Sequence, residues 1–248
     1  MSDHKSPKVD IMIQARMGST RLYGKIMLPL GGNTILGIMI DRVKRADRVR
    51  HVVVLTTDLA VDDAVVELAA CHDVKVFRGS ESDLLDRYYR AALHFGTDII
   101  VRLTGDCPFM DPALIDDMVN LFLFNWPNIE FLTNCKQRTF ARGLDIEIFS
   151  NTLLKRLHEE CSEPYYREHV VPYVEEHPEK FACFEYPNRD DDSAYRLTID
   201  TEADYMTIVA TYALLKNDVF TYQETINVLM QNEHLIRNAG VIHKPYKG

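Results

Sequence analysis

The chain is 248 residues long, 46% hydrophobic, 26% charged and 10% aromatic, which excludes disordered, collagen-like and coiled-coil chains. Its formal net charge of −9 argues against nucleic acid as a bulk partner. No stretch approaches the roughly 20 apolar residues that cross a bilayer. The polar start Met1–Asp10 lacks a secretory core, and the scattered cysteines 71, 107, 135, 161 and 183 contain no C-x-x-C pair, so a reducing cytoplasm is expected rather than a disulfide framework, a zinc site or a membrane.

In chain order, Val9–Ile13 reads as a buried strand, Ile35–Val43 as a helix and His51–Thr57 as a continuous β-branched strand. Asp62–Cys71 reads as a helix, Lys75–Arg78 as a short strand, Asp83–Phe95 as a helix, Asp98–Leu103 as a strand and Pro112–Phe124 as a helix. Strands apolar on both faces and separated by helices predict an α/β fold with a parallel sheet covered on each side. Right-handed crossovers then set the strand carboxyl ends along one edge, where ligands bind.

After Asn134 the rhythm changes. Leu144–Phe149 alternates strictly, with Asp145 and Glu147 on the face opposite Leu144, Ile146 and Ile148, and predicts a half-exposed strand. Helices are expected over Asn151–Glu160 and Pro164–Glu176, and strands over Phe181–Tyr186 and Tyr195–Ile199. Two helices, about 203–215 and 221–231, finish the chain. Residues 158–192 hold eleven acidic side chains against three basic ones, so roughly 135–190 reads as an insertion laid on the main sheet of a single 1–248 domain.

Charge is uneven: residues 1–57 carry ten Lys and Arg against four Asp. Arg42, Lys44, Arg45, Arg48 and Arg50 are expected to coat an exposed helix. The others concentrate in Gln14–Lys25, directly after the first strand. Gly18 and Gly24 permit tight turns, Ser19 and Thr20 add hydroxyls, and Arg16, Arg21 and Lys25 bring three cations, a set suited to a polyphosphate. The loop is no Walker A: Gly18-x5-Gly24-Lys25 is one residue too long, and Ile26 stands where a hydroxyl would hold magnesium. Asp106 and Asp200 each end an expected strand, so two carboxylates of one sheet can meet at a cation. Helix capping is the alternative: Asp200 or Thr201 before the helix near Ala203, and Asp111 before Pro112.

The motifs QARMGSTRLYGK, VFRGSESDLLDRYYRAA, TGDCPFMDP, RGLDIEIF, REHVVPYVEEHP and RLTIDTEAD, in order from about residue 9 to 210, resemble those of the cytidylyltransferases. The similarity is greatest to the spore-coat polysaccharide type, related to CMP-sialic acid and CMP-KDO synthetases. The resemblance implies a Rossmann-like, three-layer, mostly parallel sheet with an inserted α+β segment that helps form a homodimer. It also implies transfer of CMP from CTP to an acidic sugar with Mg²⁺ as cofactor. Arg16, Gly18, Ser19, Arg21 and Lys25 would hold the phosphates, with Arg16 and Lys25 in the chemistry. Gln14, Ala15, Arg78, Gly79, Ser80 and Thr104 would line the nucleotide site, and Asp83 the nucleotide or acceptor pocket. Asp106 and Asp200 would be the catalytic metal ligands, and Arg87, Arg142, Asp145, Glu147, Arg167 and His169 would lie toward the acceptor. Two positions depart: Tyr23 stands where relatives commonly have Pro, and Thr104 where KDO- and sialate-type enzymes usually carry Gln.

Other readings stay beside these. His169 shares a helical face with Tyr165, Tyr166 and Tyr173 and can equally be packing. Asp145 and Glu147 are explained by strand alternation alone. Asp190–Asp192 is read as a solvated loop and Cys107 as a packing residue. A phosphate or phosphonate monoester acceptor, using Arg138, Arg142 and Arg167, and a non-catalytic nucleotide-binding module are the competing functions.

Overall fold

The computed structural model describes residues 6–215, 217–232 and 234–235; the first five residues of the polar start lie outside them. β1 (Val9–Gln14) leads through a 3₁₀ turn, Lys25–Met27, into a small hairpin of β2 (Pro29–Leu30) and β3 (Asn33–Thr34). There follow α1 (Ile35–Val43), β4 (His51–Thr57), α2 (Asp63–Cys71), β5 (Lys75–Gly79), α3 (Leu84–Phe95), β6 (Ile99–Thr104) and α4 (Pro112–Asn125). The second half comprises β7 (Phe131–Thr133), β8 (Glu147–Ser150), α5 (Asn151–Glu160), α6 (Pro164–His169), α7 (Pro172–Glu176), β9 (Cys183–Glu185), α8 (Glu202–Leu214) and α9 (Tyr222–Gln231).

The strands form one seven-stranded sheet in the order β5-β4-β1-β6-β8-β7-β9. β1 pairs in parallel with β4 and β6, β4 with β5, and β7 with β9; only β8, antiparallel to both neighbours, runs the other way. Alternate residues divide between two apolar layers. Ile11, Ile13, Val54, Val101 and Leu103 pack with α1, α4, α8 and α9, while Met12, Val53, Leu55 and Ile100 pack with α3, α5 and the region of α6 and α7. This is the mostly parallel, helix-covered α/β sheet expected from the apolar strands. Among the described residues no helix is long and apolar enough to cross a membrane.

Four expectations are corrected. Residues 144–146 lie outside the strand, and β8 is interior, not half exposed. Its outward acid, Glu147, sits opposite Arg102 of β6 and forms an ion pair with it inside the sheet, so a charged residue occupies a covered position. Residues 135–190 are not laid on a finished sheet, since they supply β8 and β9 to it. Tyr195–Ile199 is extended but forms only the bridge Arg142↔Arg196; its backbone is tied to Arg142 (2.6 and 3.0 Å) and to the Asp106 carbonyl (3.1 Å). Arg42 is buried rather than exposed, donating to the carbonyls of Met110, Asp218 and Phe220 with its guanidinium 3.6 Å from the Phe220 ring centre.

Candidate active site

The parallel strands β1, β4, β5 and β6 end together, and a cleft of about 360 Å³ opens above the ends of β1 and β6. The turns after these two strands nearly touch. The Gly105 amide donates to the Gln14 carbonyl (2.9 Å), and a Cβ at Gly105 would stand 3.0 Å from Ala15 Cβ and 3.2 Å from that carbonyl. Glycine is what lets the Asp106 turn pass the turn after β1 at this distance.

The loop from Gln14 to Lys25 forms one wall. Asp62, buried after β4, anchors it by accepting from the Met17 amide (2.7 Å) and from Thr57. The Ser19 and Gly24 amides both donate to the Met17 carbonyl (2.8 and 2.9 Å). The amides of Gly18, Thr20 and Arg21 make no hydrogen bond among the described residues. Gly24 turns through φ 65° into the Lys25–Met27 turn, which buries most of the Lys25 side chain.

At the cleft floor opposite charges converge. Lys25 Nζ donates to Asp106 Oδ2 (2.5 Å), Asp200 Oδ1 (2.9 Å) and the Ile199 carbonyl (2.6 Å). Arg21 Nη2 reaches Asp200 Oδ1 (2.6 Å) and Arg196 Nη2 reaches Asp200 Oδ2 (2.6 Å). Burial alone would raise Asp200, but Lys25, Arg196 and Arg21 outweigh it and hold its carboxyl below the usual range. Burial would likewise lower Lys25, and the two aspartates outweigh it in the other direction. The helix behind is capped by Thr201, not Asp200: Thr201 and Asp204 form a reciprocal capping box on α8, which leaves the Asp200 carboxylate facing the cations. Two carboxylates plus a carbonyl around one cation form a hard oxygen set of the kind Mg²⁺ accepts.

Of the residues singled out in the sequence, Gln14, Ala15, Arg16, Gly18, Ser19, Thr20, Arg21, Lys25, Arg87, Thr104, Asp106, His169 and Asp200 line this cleft. The others do not. Arg78 braces the chain after β4, bonding the Thr57 and Leu59 carbonyls (both 2.8 Å) and Asp63 (2.6 Å), so its guanidinium is already engaged. Ser80 gives its carbonyl to Arg87, and Gly79 ends β5. Asp83 caps α3 and grips Arg167 through both oxygens (3.0, 3.0 and 2.6 Å), so the pair joins α3 to α6 instead of facing a substrate. Glu147 pairs with Arg102 and Asp145 with Arg138 (2.5 Å). Arg142, which makes no ion pair among the described residues, stands beside Arg138 and Arg196; burial and these neighbours pull its pKa down. Burial, with Asp106 and Asp145 adding, pushes the Cys107 thiol well up, so it is neutral and no nucleophile.

Sequence reasoning missed Glu81, Leu84 and Glu168 in the lining and Arg196 and Asp62 behind it. Glu81 accepts from Arg16 (3.2 Å) across 65 positions of sequence, a pairing no local pattern announces. Arg196 had a signal, since Arg196-Leu-Thr-Ile-Asp200 brings a cation four residues before the carboxylate.

A family model described as cytidylyltransferase matches residues 11–235. A solved structure of a cytidylyltransferase from Leptospira borgpetersenii serovar Hardjo-bovis is 55% identical, with a TM-score of 0.92 over 96% of this chain and 100% of that one. The spore coat polysaccharide biosynthesis protein SpsF of Bacillus subtilis is 37% identical over 81% of this chain and 85% of its own length. A CMP:2-keto-3-deoxy-manno-octonic acid synthetase solved with CTP is similar in fold alone, at 18% identity and a TM-score of 0.63 over 84% of this chain and 99% of that one. The chain thus falls in an enzyme class, the nucleotidyltransferases. Within it, this chain belongs to the cytidylyltransferase family.

Proposed function

We propose that this protein transfers CMP from CTP to an acidic sugar, releasing pyrophosphate, with Mg²⁺ as cofactor. One observation carries the reading: Asp106, in the turn after β6, and Asp200, just past the extended segment 195–199, both reach Lys25 Nζ at the end of the Gln14–Lys25 loop. Asp106 and Asp200 would hold the Mg²⁺, which supplies charge neutralisation at the α-phosphate. Arg16, Arg21 and the amides of Gly18, Thr20 and Arg21 bind the triphosphate and orient it for in-line attack by the acceptor oxygen. Positioning and electrostatic stabilisation provide most of the acceleration in phosphoryl-type transfer.

The acceptor enters from the side of α6, where Glu168 and His169 line the cleft. Arg138 and Arg167 are engaged by Asp145 and Asp83, which leaves less cationic capacity than a phosphate dianion calls for. Thr104 in place of Gln points to a sugar acid other than KDO or sialate. The same proposal includes a cytoplasmic location and a homodimer formed through residues 135–190; the outer strand β9, with half-exposed Phe184 at its centre, supports that contact.

The test is pyrophosphate release with Mg²⁺, each of the four nucleoside triphosphates, and separate panels of sugar acids and phosphomonoesters. Release with CTP and a sugar acid is expected. Release with phosphomonoesters alone, or with another triphosphate in preference to CTP, contradicts the reading.

A further inference from the structure

Lys25 offers three hydrogens and spends all of them on the oxygens that would surround a metal: one from Asp106, one from Asp200 and the Ile199 carbonyl, at 2.5, 2.9 and 2.6 Å. The three side chains are enclosed, at 11%, 18% and 12% exposure for Lys25, Asp106 and Asp200. Carboxylates and backbone carbonyls are the donors a hard divalent ion takes. An ammonium and a divalent ion cannot share this space, because like charges at such separations repel strongly away from bulk water.

We infer that Lys25 is a resident counter-ion: its ammonium fills the divalent seat of the nucleotide-free enzyme, and the triphosphate draws it out, so that metal and nucleotide enter together. The inference rests on Asp106 and Asp200 being the metal ligands of the proposed reaction. Its physical basis is exchange of partners. Removing Lys25 alone would strand the enclosed Asp106 carboxylate, while Asp200 keeps Arg21 and Arg196, and adding a metal alone would strand an enclosed ammonium; both are costly. A triphosphate resolves both, because Lys25 sits on the same short loop as Arg16 and Arg21 and its flexible four-carbon stem can re-aim at phosphate oxygens. Arg21, 59% exposed and bonded to the Asp200 oxygen that Lys25 shares, is placed to move with it. Arg196 holds the other Asp200 oxygen and is itself fixed by Asp204 (2.7 Å), so the carboxylate stays in position during the exchange.

The test needs neither acceptor nor turnover. Mn²⁺ is titrated into nucleotide-free protein and the free ion followed by electron paramagnetic resonance, for wild type, Lys25→Met, Lys25→Gln and the double variant Lys25→Met/Asp106→Asn, each checked for folding by circular dichroism. Wild type is expected to bind Mn²⁺ weakly. Lys25→Met should bind at least tenfold more tightly, and the double variant should lose that gain. Lys25→Gln, which still donates two hydrogen bonds but carries no charge, should tighten binding likewise and replaces Lys25→Met if that variant does not fold. A non-hydrolysable CTP analogue should lower free Mn²⁺ with wild type by more than the analogue does in the absence of protein. Affinity in Lys25→Met or Lys25→Gln no higher than in wild type overturns the inference, as does a gain that survives Asp106→Asn. Failure of the acceptor panel would leave these measurements unaffected, and failure here would leave the transfer reaction standing.

Discussion

Asp200 answers to three cations at once, Lys25 and Arg21 on one oxygen and Arg196 on the other. Arg16 is different: its partner is the half-exposed Glu81 and both side chains meet solvent, at 40% and 46% exposure, so the pair contributes little to stability. Arg16 is therefore available to a ligand at small cost. Arg16→Ala is expected to weaken CTP binding about 10- to 100-fold, the value of a charge-assisted contact to phosphate, and to leave CMP binding and thermal stability nearly unchanged. Calorimetric titration with both nucleotides checks it; equal losses would place Arg16 at the base, ribose or α-phosphate and not at the phosphates beyond it. The aspartates themselves were legible because each ends an apolar run beside a turn residue, whereas the partners that fix their charge come from remote parts of the chain.

The segment Pro164–Glu176 shows what element-level reading misses. Its apolar spacing predicts one helix, yet the chain breaks into α6 and α7 at Val170, where φ is 73°. Pro172 is the physical reason: it has no amide to offer the Glu168 carbonyl, so the i to i−4 ladder cannot run on from α6, although Val171 itself stays in helical backbone (φ −99°, ψ −12°). The break leaves Glu168 and His169 at the end of α6, lining the cleft. By the same logic Tyr195–Ile199 was legible as extended chain but not as an unpaired delivery segment, since alternation cannot tell a full ladder from a single bridge. The α8 capping box turns that segment into a helix, and it is predicted to matter locally. Thr201→Ala should cost about 1 kcal/mol of unfolding free energy, measured by urea denaturation. A loss below a few tenths would show that α8 is held by packing alone.

At the scale of the molecule, the class of fold was legible because buried parallel strands are apolar on both faces. The second half was not, because β8 carries its acid into the sheet with Arg102 as partner. Charge pairs of this enclosed kind also tie stability to pH. Asp204 is almost fully buried; burial would raise its pKa, but Arg196 and the amides of Asp200 and Thr201 outweigh it and keep it below the ordinary 3.8. A depressed folded-state pKa gives stability that is present above the unfolded value and lost as pH falls through the folded one. Asp204→Asn should therefore destabilise the protein by about 3 kcal/mol at pH 7. The difference from wild type should shrink below pH 3.8, as followed by denaturant titration across pH; a gap independent of pH would assign the loss to packing. In the proposed function Asp106 and Asp200 jointly seat the ion that permits transfer. The most direct measurement is Mg²⁺-dependent pyrophosphate release from CTP by Asp106→Asn, with folding verified by circular dichroism. A fall of about 10³-fold or more is predicted, the scale of a lost metal contact worth several kcal/mol; turnover near that of wild type would contradict it.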